Sequence, residues 1–225
     1  MAQNTTQCNA DQISILEMVQ QRELVEHTEI LAKVSSSKPV HHLVHGPPGT
    51  GKSLVLVLLR KMMTECFHYT QGKEFQIGSL QAVVAVAHGG ETLHHIAGLN
   101  PFMSRGEQQE KAVQSDAMSR LSWLRWLFID EAMMNSAAFL GEIEQCLRWK
   151  IPDSSFFKRS PDGAVRAFGG INLMHFGDTR RIPPPESIPL FAIPAEFVSL
   201  PKSMSPSPVA SHGLRLLWGL TPGHF

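Results

Sequence analysis

The chain has 225 residues, and its 20 Lys and Arg balance its 20 Asp and Glu, so the formal net charge at pH 7 is zero. A neutral chain creates no overall field toward nucleic acid or a membrane, so any binding of nucleic acid must come from a local groove. The three cysteines, Cys8, Cys66 and Cys146, stand far apart without a C-x-x-C pair, which favours neither a disulfide framework nor a zinc site.

Residues 1–39 are predicted to form an N-terminal helical region. The first residues are polar and lack the apolar core of a secretory signal. Asn9 and Asp11 can cap a first helix, and a second helical stretch carries Leu24 and Ile30 before the Ser-rich break at 35–39. The longest apolar run, at 54–59, is too short to span a bilayer, so no membrane partner is expected.

Residues 46–53 contain the complete G-x-x-x-x-G-K-S pattern of a phosphate-binding loop. A strand is predicted before the loop at 41–45 and an amphipathic helix after it, which is the context that this motif requires. Glycines let the backbone approach phosphate, successive N–H groups form an anion nest, and the helix start adds its dipole. We therefore expect Lys52 to contact the β- and γ-phosphates and Ser53 to bind Mg²⁺. The nucleotide would lie against Gly46, Pro47, Pro48, Gly49, Thr50 and Gly51.

Two further carboxylate sites follow predicted strands. Residues 80–87 and 123–129 are apolar and predict buried strands, and the second strand ends in Asp130 and Glu131. A carboxylate there can hold Mg²⁺, and the adjacent Glu can act as general base. A short helix is predicted at 91–97 and a longer one at 137–149. A strand at 171–176 ends in Gly177-Asp178, where Asp178 can sense the γ-phosphate, although a plain turn is the alternative.

Strands that alternate with helices predict an α/β fold with a parallel sheet. From residue 201 the composition turns to Pro and Ser, so residues 201–225 are predicted to be a disordered tail.

The motifs, in this order, resemble those of the Pif-type DNA helicases of superfamily one, including the helicase domains of Helitron-like transposons. The similarity runs from about residue 9 to about residue 198. It is carried by Gln12 in the N-terminal helix, GPPGTGKS at 46–53, GGETLH at 89–94, IDE at 129–131, FGG at 168–170 and GD at 177–178. The resemblance implies a RecA-like P-loop NTPase domain over residues 40–200, with helices on both sides of the sheet.

The same resemblance implies roles for particular residues. Gln12 would read adenine, Thr92 and His94 would contact single-stranded DNA, and Arg181 falls where the family has a Gln near the γ-phosphate. The implied cofactors are ATP and Mg²⁺, and the implied partners are single-stranded DNA and duplex junctions. The implied activity is 5′ to 3′ translocation in repair, recombination, replication or telomere maintenance. An intracellular location is expected, the nucleus first and the mitochondrion second.

Three departures from the family pattern leave alternatives open. Arg181 replaces the family's Gln and Met133 replaces a Ser, and we expect no second RecA-like domain with its arginine finger after the third motif. We therefore expect a first motor domain that needs a second domain or another copy to complete its site. One alternative is a catalytically inactive nucleotide- or DNA-binding remnant of a transposon-type helicase. The other is an AAA-type ATPase, whose helical lid the sequence does not offer.

Overall fold

A computed structural model of the protein describes residues 8–99, 116–178, 180, 187–190 and 207–218. Within this part of the chain, a parallel sheet has the order β1-β5-β4-β2-β3. Its strands are β1 (His41–His45), β2 (Phe75–Ser79), β3 (Glu91–Thr92), β4 (Trp126–Asp130) and β5 (Asn172–Gly177). The helices are α1 (Ala10–Ala32), α2 (Lys52–Lys61), α3 (Ala82–Ala87), α4 (Leu93–Ala97), α5 (Asp116–Leu121), α6 (Ala137–Lys150) and α7 (Pro208–Trp218). None of these helices is long and apolar enough to cross a membrane.

The parallel α/β sheet is confirmed, and its central strands are buried on both faces. Every residue of β2, β4 and β5 is buried, as the strands of a parallel sheet covered by helices require. Successive side chains point to opposite faces. Phe128 and Met174 therefore join the core under α1 and α2, while Leu127 and Leu173 join the core under α6.

The predicted strand at 80–87 is wrong. Strand β2 ends at Ser79, and the apolar run forms the short helix α3, on which Val83 and Val86 are 83% and 73% exposed. An apolar run of this length cannot be assigned to strand or helix by periodicity alone. The two other inner strands lie within three residues of their predicted bounds.

One helix, not two, forms the N-terminal region. Helix α1 begins with a capping box in which Asn9 Oδ1 accepts from Gln12 N, at 2.9 Å, and Gln12 Oε1 accepts from Asn9 N, at 3.0 Å. It runs without a break to Ala32, and the left-handed Lys33 ends it.

A buried carboxylate attaches α1 to the amino ends of the central strands. Glu26, 2% exposed, accepts hydrogen bonds from Arg22 Nε at 3.0 Å, Arg125 Nη2 at 2.6 Å and Asn172 Nδ2 at 2.7 Å. Arg125 immediately precedes β4, and Asn172 is the first residue of β5. These hydrogen bonds fix α1 at the side of the sheet where β4 and β5 begin.

The prediction of a disordered tail is wrong for residues 208–218, which form α7 on the outer face of α6. Pro208 is the first helical residue, where a missing N–H has no cost, and Ser207 Oγ accepts from Ala210 N at 3.2 Å. Val209, Ala210 and Leu214 are buried. The prediction rests on the Pro- and Ser-rich composition of the segment before the helix and overlooks the spacing of these apolar residues.

The two helices cross at glycines. A Cβ added to Gly213 would lie 1.8 Å from the carbonyl oxygen of Ala137, and one added to Gly141 would lie 2.5 Å from the carbonyl oxygen of Val209. Beside this crossing, His212 Nε2 lies 2.8 Å from Glu144 Oε2. The backbones therefore approach closely only because both positions lack a side chain.

Replacing Gly213 with alanine should destabilise the protein by about 1–3 kcal/mol, because the new methyl group would force the helix backbones apart. Helix propensity alone predicts the opposite sign, since alanine is favoured over glycine by about 1 kcal/mol in a helix. Urea unfolding of the parent and the variant measures the difference. A higher unfolding midpoint for Gly213→Ala would contradict the close crossing.

His175 is a buried titratable residue in the middle of β5. It is 4% exposed, and within the described residues its Nδ1 has no hydrogen-bond partner. Burial, and secondly the neighbouring His41, lower the pKa of His175 to about 3. The residue is therefore neutral in the folded protein at pH 7.

His175 should make the protein acid-sensitive. Its pKa is near 6.5 when unfolded and about 3 when folded, so between these values the unfolded state binds more protons and stability falls with falling pH. The expected loss between pH 7 and pH 5 is roughly 2 kcal/mol. Chemical unfolding of His175→Met should show a shallower loss than the parent. His27→Met, at an exposed position of α1, serves as control, and equal slopes for parent and His175→Met would contradict the assignment.

Candidate active site

The register of the strands brings the predicted motifs to one edge of the sheet. His45 pairs with Gly177, and Ser79 pairs with both Asp130 and Thr92. The segments after these residues therefore all leave the carboxyl edge. Ligands of open parallel α/β sheets bind at this edge.

Two glycines in the left-handed region shape the phosphate-binding loop. Gly49 and Gly51 have φ of +84° and +83°, which L side chains rarely adopt. Gly46 N donates to Gly177 O at 3.2 Å, which links the start of the loop to the end of β5. The loop residues Pro47, Pro48, Gly49 and Thr50 are exposed, and α2 begins immediately afterwards at Lys52.

Lys52 lies over this loop. Its Nζ donates to Gly46 O at 2.6 Å and to Pro47 O at 3.0 Å. Ser53 is the next residue of α2 and is exposed. The lysine ammonium thus lies where an anion in the loop would meet it, and backbone carbonyls are its partners.

Gln12 contacts the same loop from the start of α1. Its Nε2 donates to Thr50 O at 3.1 Å, while its Oε1 belongs to the capping box. A Cβ on Gly51 would lie 2.4 Å from Gln12 Nε2. The structure therefore brings Gln12 to the phosphate-binding loop, and its reading of adenine stays a prediction.

Asp130 is the last residue of β4, and Glu131 follows it at the carboxyl edge of the sheet. Asp130 is 6% exposed, and its Oδ1 accepts from Glu131 N at 2.9 Å. Glu131 has φ +51°, a left-handed conformation that costs a non-glycine residue about 1–3 kcal/mol and concentrates at functional sites. His88 Nε2 lies 3.0 Å from Asp130 Oδ2. His88 carries no sequence signal beyond its place before Gly89-Gly90.

The oxygen donors fit a hard cation. Ser53 offers a hydroxyl and Asp130 a carboxylate, and Mg²⁺ typically binds one or two such groups together with water and substrate phosphates. No group of three or more His, Cys, Asp or Glu that could hold a metal occurs among the described residues. A metal cage made only of such side chains is therefore not found in this part of the chain.

Asp178 follows β5 and is 4% exposed. Its Oδ1 accepts from Arg180 N at 3.0 Å. This backbone hydrogen bond, and then the charges of Arg180 and Lys52, hold the pKa of Asp178 below its usual range. Asp178 is thus ionised within electrostatic reach of Lys52, while Arg181 lies outside the described residues.

Met133 packs against the end of β5. A Cβ on Gly177 would lie 2.8 Å from Met133 Cγ. The methionine that departs from the family pattern therefore fills the space between the ends of β4 and β5.

The two predicted DNA contacts lie at the same edge, with partners inside the protein. Thr92 caps α4, and its Oγ1 accepts from His95 N at 3.3 Å. The His94 ring lies 4.5 Å from the Phe139 ring at 33°, and partial burial lowers the pKa of His94. A role of Thr92 and His94 in DNA binding stays a prediction.

Solved structures of Pif1 helicases share this fold. The Pif1 helicase from Candida albicans is 24% identical with a TM-score of 0.54, covering 80% of this chain and 34% of its own. Unliganded Pif1 from Bacteroides sp. is 21% identical with a TM-score of 0.52, covering 80% and 33%. A structure of two coordinating Pif1 helicases at forked dsDNA is 21% identical with a TM-score of 0.51, covering 80% and 35%.

The chain thus spans about a third of the length of these structures. No curated protein shows significant sequence similarity to it. The family model described as PIF1-like helicase, however, matches residues 18–188. This match includes the phosphate-binding loop, the Asp130-Glu131 pair and Asp178. Because it covers most of the sequence, the chain belongs to the PIF1-like helicase family.

Proposed function

We propose that this chain is the ATP-binding first motor domain of a Pif1-type DNA helicase, and that it hydrolyses ATP when single-stranded DNA is bound. The observation that carries this proposal is the position of Lys52 over the phosphate loop, with Asp130 and Asp178 at the ends of neighbouring strands. Family membership supports the same activity. The AAA-type alternative has no such support.

Nucleotide binding would exchange the partners of Lys52. In the described structure its ammonium is bound by two backbone carbonyls, and phosphate oxygens carry more negative charge than carbonyls. The N–H groups at the start of α2 would face the same phosphates. Ser53 and Asp130 would hold Mg²⁺, which supplies charge neutralisation at the β- and γ-phosphates.

Hydrolysis would rest on Glu131. Its left-handed backbone turns the chain sharply at the end of β4, and its carboxylate is proposed to orient water and accept a proton as general base. Asp178 and Arg181 are proposed to respond to the γ-phosphate. An arginine finger from a second RecA-like domain or from another copy would complete the site, a contribution worth about 10³–10⁵ in rate in related NTPases.

The proposed nucleic-acid partner is single-stranded DNA at duplex junctions, bound near Thr92 and His94. By family resemblance, the proposal extends to translocation from 5′ to 3′. It also extends to roles in repair, recombination, replication or telomere maintenance, in the nucleus or mitochondrion. Gln12, at the phosphate loop, is proposed to read adenine.

The second candidate is a remnant that binds nucleotide or DNA without useful turnover. Two departures favour it, since Arg181 replaces a Gln and Met133 replaces a Ser. Turnover of Mg-ATP by the purified chain, with and without single-stranded DNA, tests the motor-domain proposal. Turnover that rises with DNA supports the motor domain, whereas its absence in a folded protein that binds ATP leaves either a domain that awaits its arginine finger or the remnant, and overturns the proposal that this chain alone hydrolyses ATP.

Replacing Lys52 with alanine should weaken ATP binding by at least tenfold, because it removes the cation that faces the β- and γ-phosphates. Titration with a fluorescent ATP analogue measures the affinity. Lys61→Ala, at the exposed far end of the same helix, is the matched control. Equal affinity of the parent and Lys52→Ala would contradict the phosphate-loop assignment.

Replacing Glu131 with glutamine should leave ATP affinity within about threefold and lower any turnover by 100-fold or more. Glutamine keeps the size of the side chain but cannot accept the proton, and a positioned general base contributes about 10²–10⁴ in rate. Phosphate release under saturating ATP measures the effect. If turnover survives in Glu131→Gln, another residue is the base.

A further inference from the structure

His88 holds one oxygen of the buried Asp130 carboxylate. The residue follows α3, and its Nε2 lies 3.0 Å from Asp130 Oδ2, with side-chain exposures of 15% for His88 and 8% for Asp130. The contact is at ion-pair distance and brings a ring nitrogen of the imidazole against this carboxylate oxygen. The other oxygen, Oδ1, accepts from Glu131 N.

Together the two contacts restrict the rotation of the carboxylate. Glu131 N occupies one lone pair of Oδ1 and the imidazole of His88 lies against Oδ2, so acceptor sites remain open on the carboxylate. Those remaining sites point in directions set by His88 on one side and by Glu131 N on the other. An Asp130 without His88 could rotate about its terminal bond, which has a broad torsional preference.

The position of His88 is itself fixed by a tight turn against β2. His88 N donates to Ala85 O at 3.2 Å, and Gly90 N donates to the same oxygen at 2.8 Å. A Cβ on Gly90 would lie 2.1 Å from Ile77 O, so the turn touches the strand backbone. Gly89 has φ +66°. The histidine therefore stands in a hydrogen-bonded turn that touches the backbone of β2.

We propose that His88 is a positioning residue for the divalent cation of the nucleotide site. It would hold Asp130 in the orientation in which its open acceptor sites meet the cation or a water bound to it. The inference rests on the proposed function, in which Asp130 holds Mg²⁺. Partners that orient a ligating carboxylate typically change metal affinity by about 10–100-fold when they are removed.

A purely structural role predicts a different result. A histidine that only satisfied a buried carboxylate would change the stability of the protein when it was removed, without a selective effect on the cation. A positioning role predicts that removing His88 weakens binding of the cation while the affinity for metal-free nucleotide stays nearly unchanged. It also predicts rescue by a side chain that brings a donor to the place of Nε2.

The test uses Mn²⁺ as a spectroscopic probe in place of Mg²⁺. Electron paramagnetic resonance measures free Mn²⁺ during titration of the protein with a non-hydrolysable ATP analogue, against the analogue alone. His88→Ala should bind Mn²⁺ 10–100-fold more weakly than the parent. His88→Gln, whose amide N–H reaches the position of Nε2, should recover most of the affinity. His27→Ala, on the exposed face of α1, should match the parent.

A second titration, with a fluorescent ATP analogue in EDTA, separates the inference from the proposed function. Metal-free affinity should differ by less than about threefold among parent, His88→Ala and His88→Gln. If the parent binds no nucleotide in either titration, the proposed function fails. If nucleotide binds and the Mn²⁺ affinities of parent and His88→Ala are equal, the role of His88 alone is overturned.

A pair of amide variants covers the case in which His88→Ala does not fold. Glutamine and asparagine carry the same donor, but asparagine is one methylene shorter and cannot reach Asp130 Oδ2 from the same backbone. Tighter Mn²⁺ binding by His88→Gln than by His88→Asn supports the positioning role. Equal affinities overturn it.

Discussion

Helix α1 runs from the amino ends to the carboxyl ends of the strands, and its position depends on the buried carboxylate of Glu26. Its Oε1 accepts hydrogen bonds from Arg22, Arg125 and Asn172, so one carboxylate joins α1 to the amino ends of β4 and β5. From Glu26 back to Gln12 the helix rises by about 20 Å at 1.5 Å per residue, enough to cross the sheet to its carboxyl edge. The contact of Gln12 with the phosphate loop therefore depends on an ionic cluster at the opposite edge. Removing one member of such a cluster typically costs about 3–5 kcal/mol, because it leaves a buried charge unpaired.

Local patterns allowed much of the site to be predicted, because its residues are adjacent in sequence or follow apolar strands. The phosphate loop, Asp130-Glu131 and Asp178 belong to this class. The misassigned segment at 80–87 shows the limit. Residues 75–79 contain Gln76, Gly78 and Ser79, and they form a strand because β3 and β4 pair with both sides. Likewise, the contact of His88 with Asp130 depends on a turn whose shape cannot be inferred from the periodicity of hydrophobic residues.

The Phe-Gly-Gly segment shows that a family motif can be structural. Phe168, Gly169 and Gly170 have φ of +50°, +66° and +83°, and a Cβ on Gly170 would lie 1.9 Å from Phe157 O. This left-handed turn stands at the amino end of β5, across the sheet from the proposed nucleotide site. Glu144 Oε1 accepts from Phe168 N at 3.3 Å, and its other oxygen contacts His212 of α7. Helix α7 is therefore attached to the turn from which β5 begins.

Under the proposed function, the charges at the carboxyl edge couple cation binding to nucleotide binding. Lys52 provides one positive charge at the loop, whereas Asp130 and Glu131 lie at the end of β4 and the ionised Asp178 at the end of β5. A triphosphate alone would meet the attraction of the lysine together with the repulsion of these carboxylates, and a cation alone would lack the phosphate oxygens. Each ligand therefore reduces the electrostatic cost of binding the other. The contact of His88 with Asp130 acts on this balance, since the imidazole lies against one carboxylate oxygen and limits the directions from which a cation can approach.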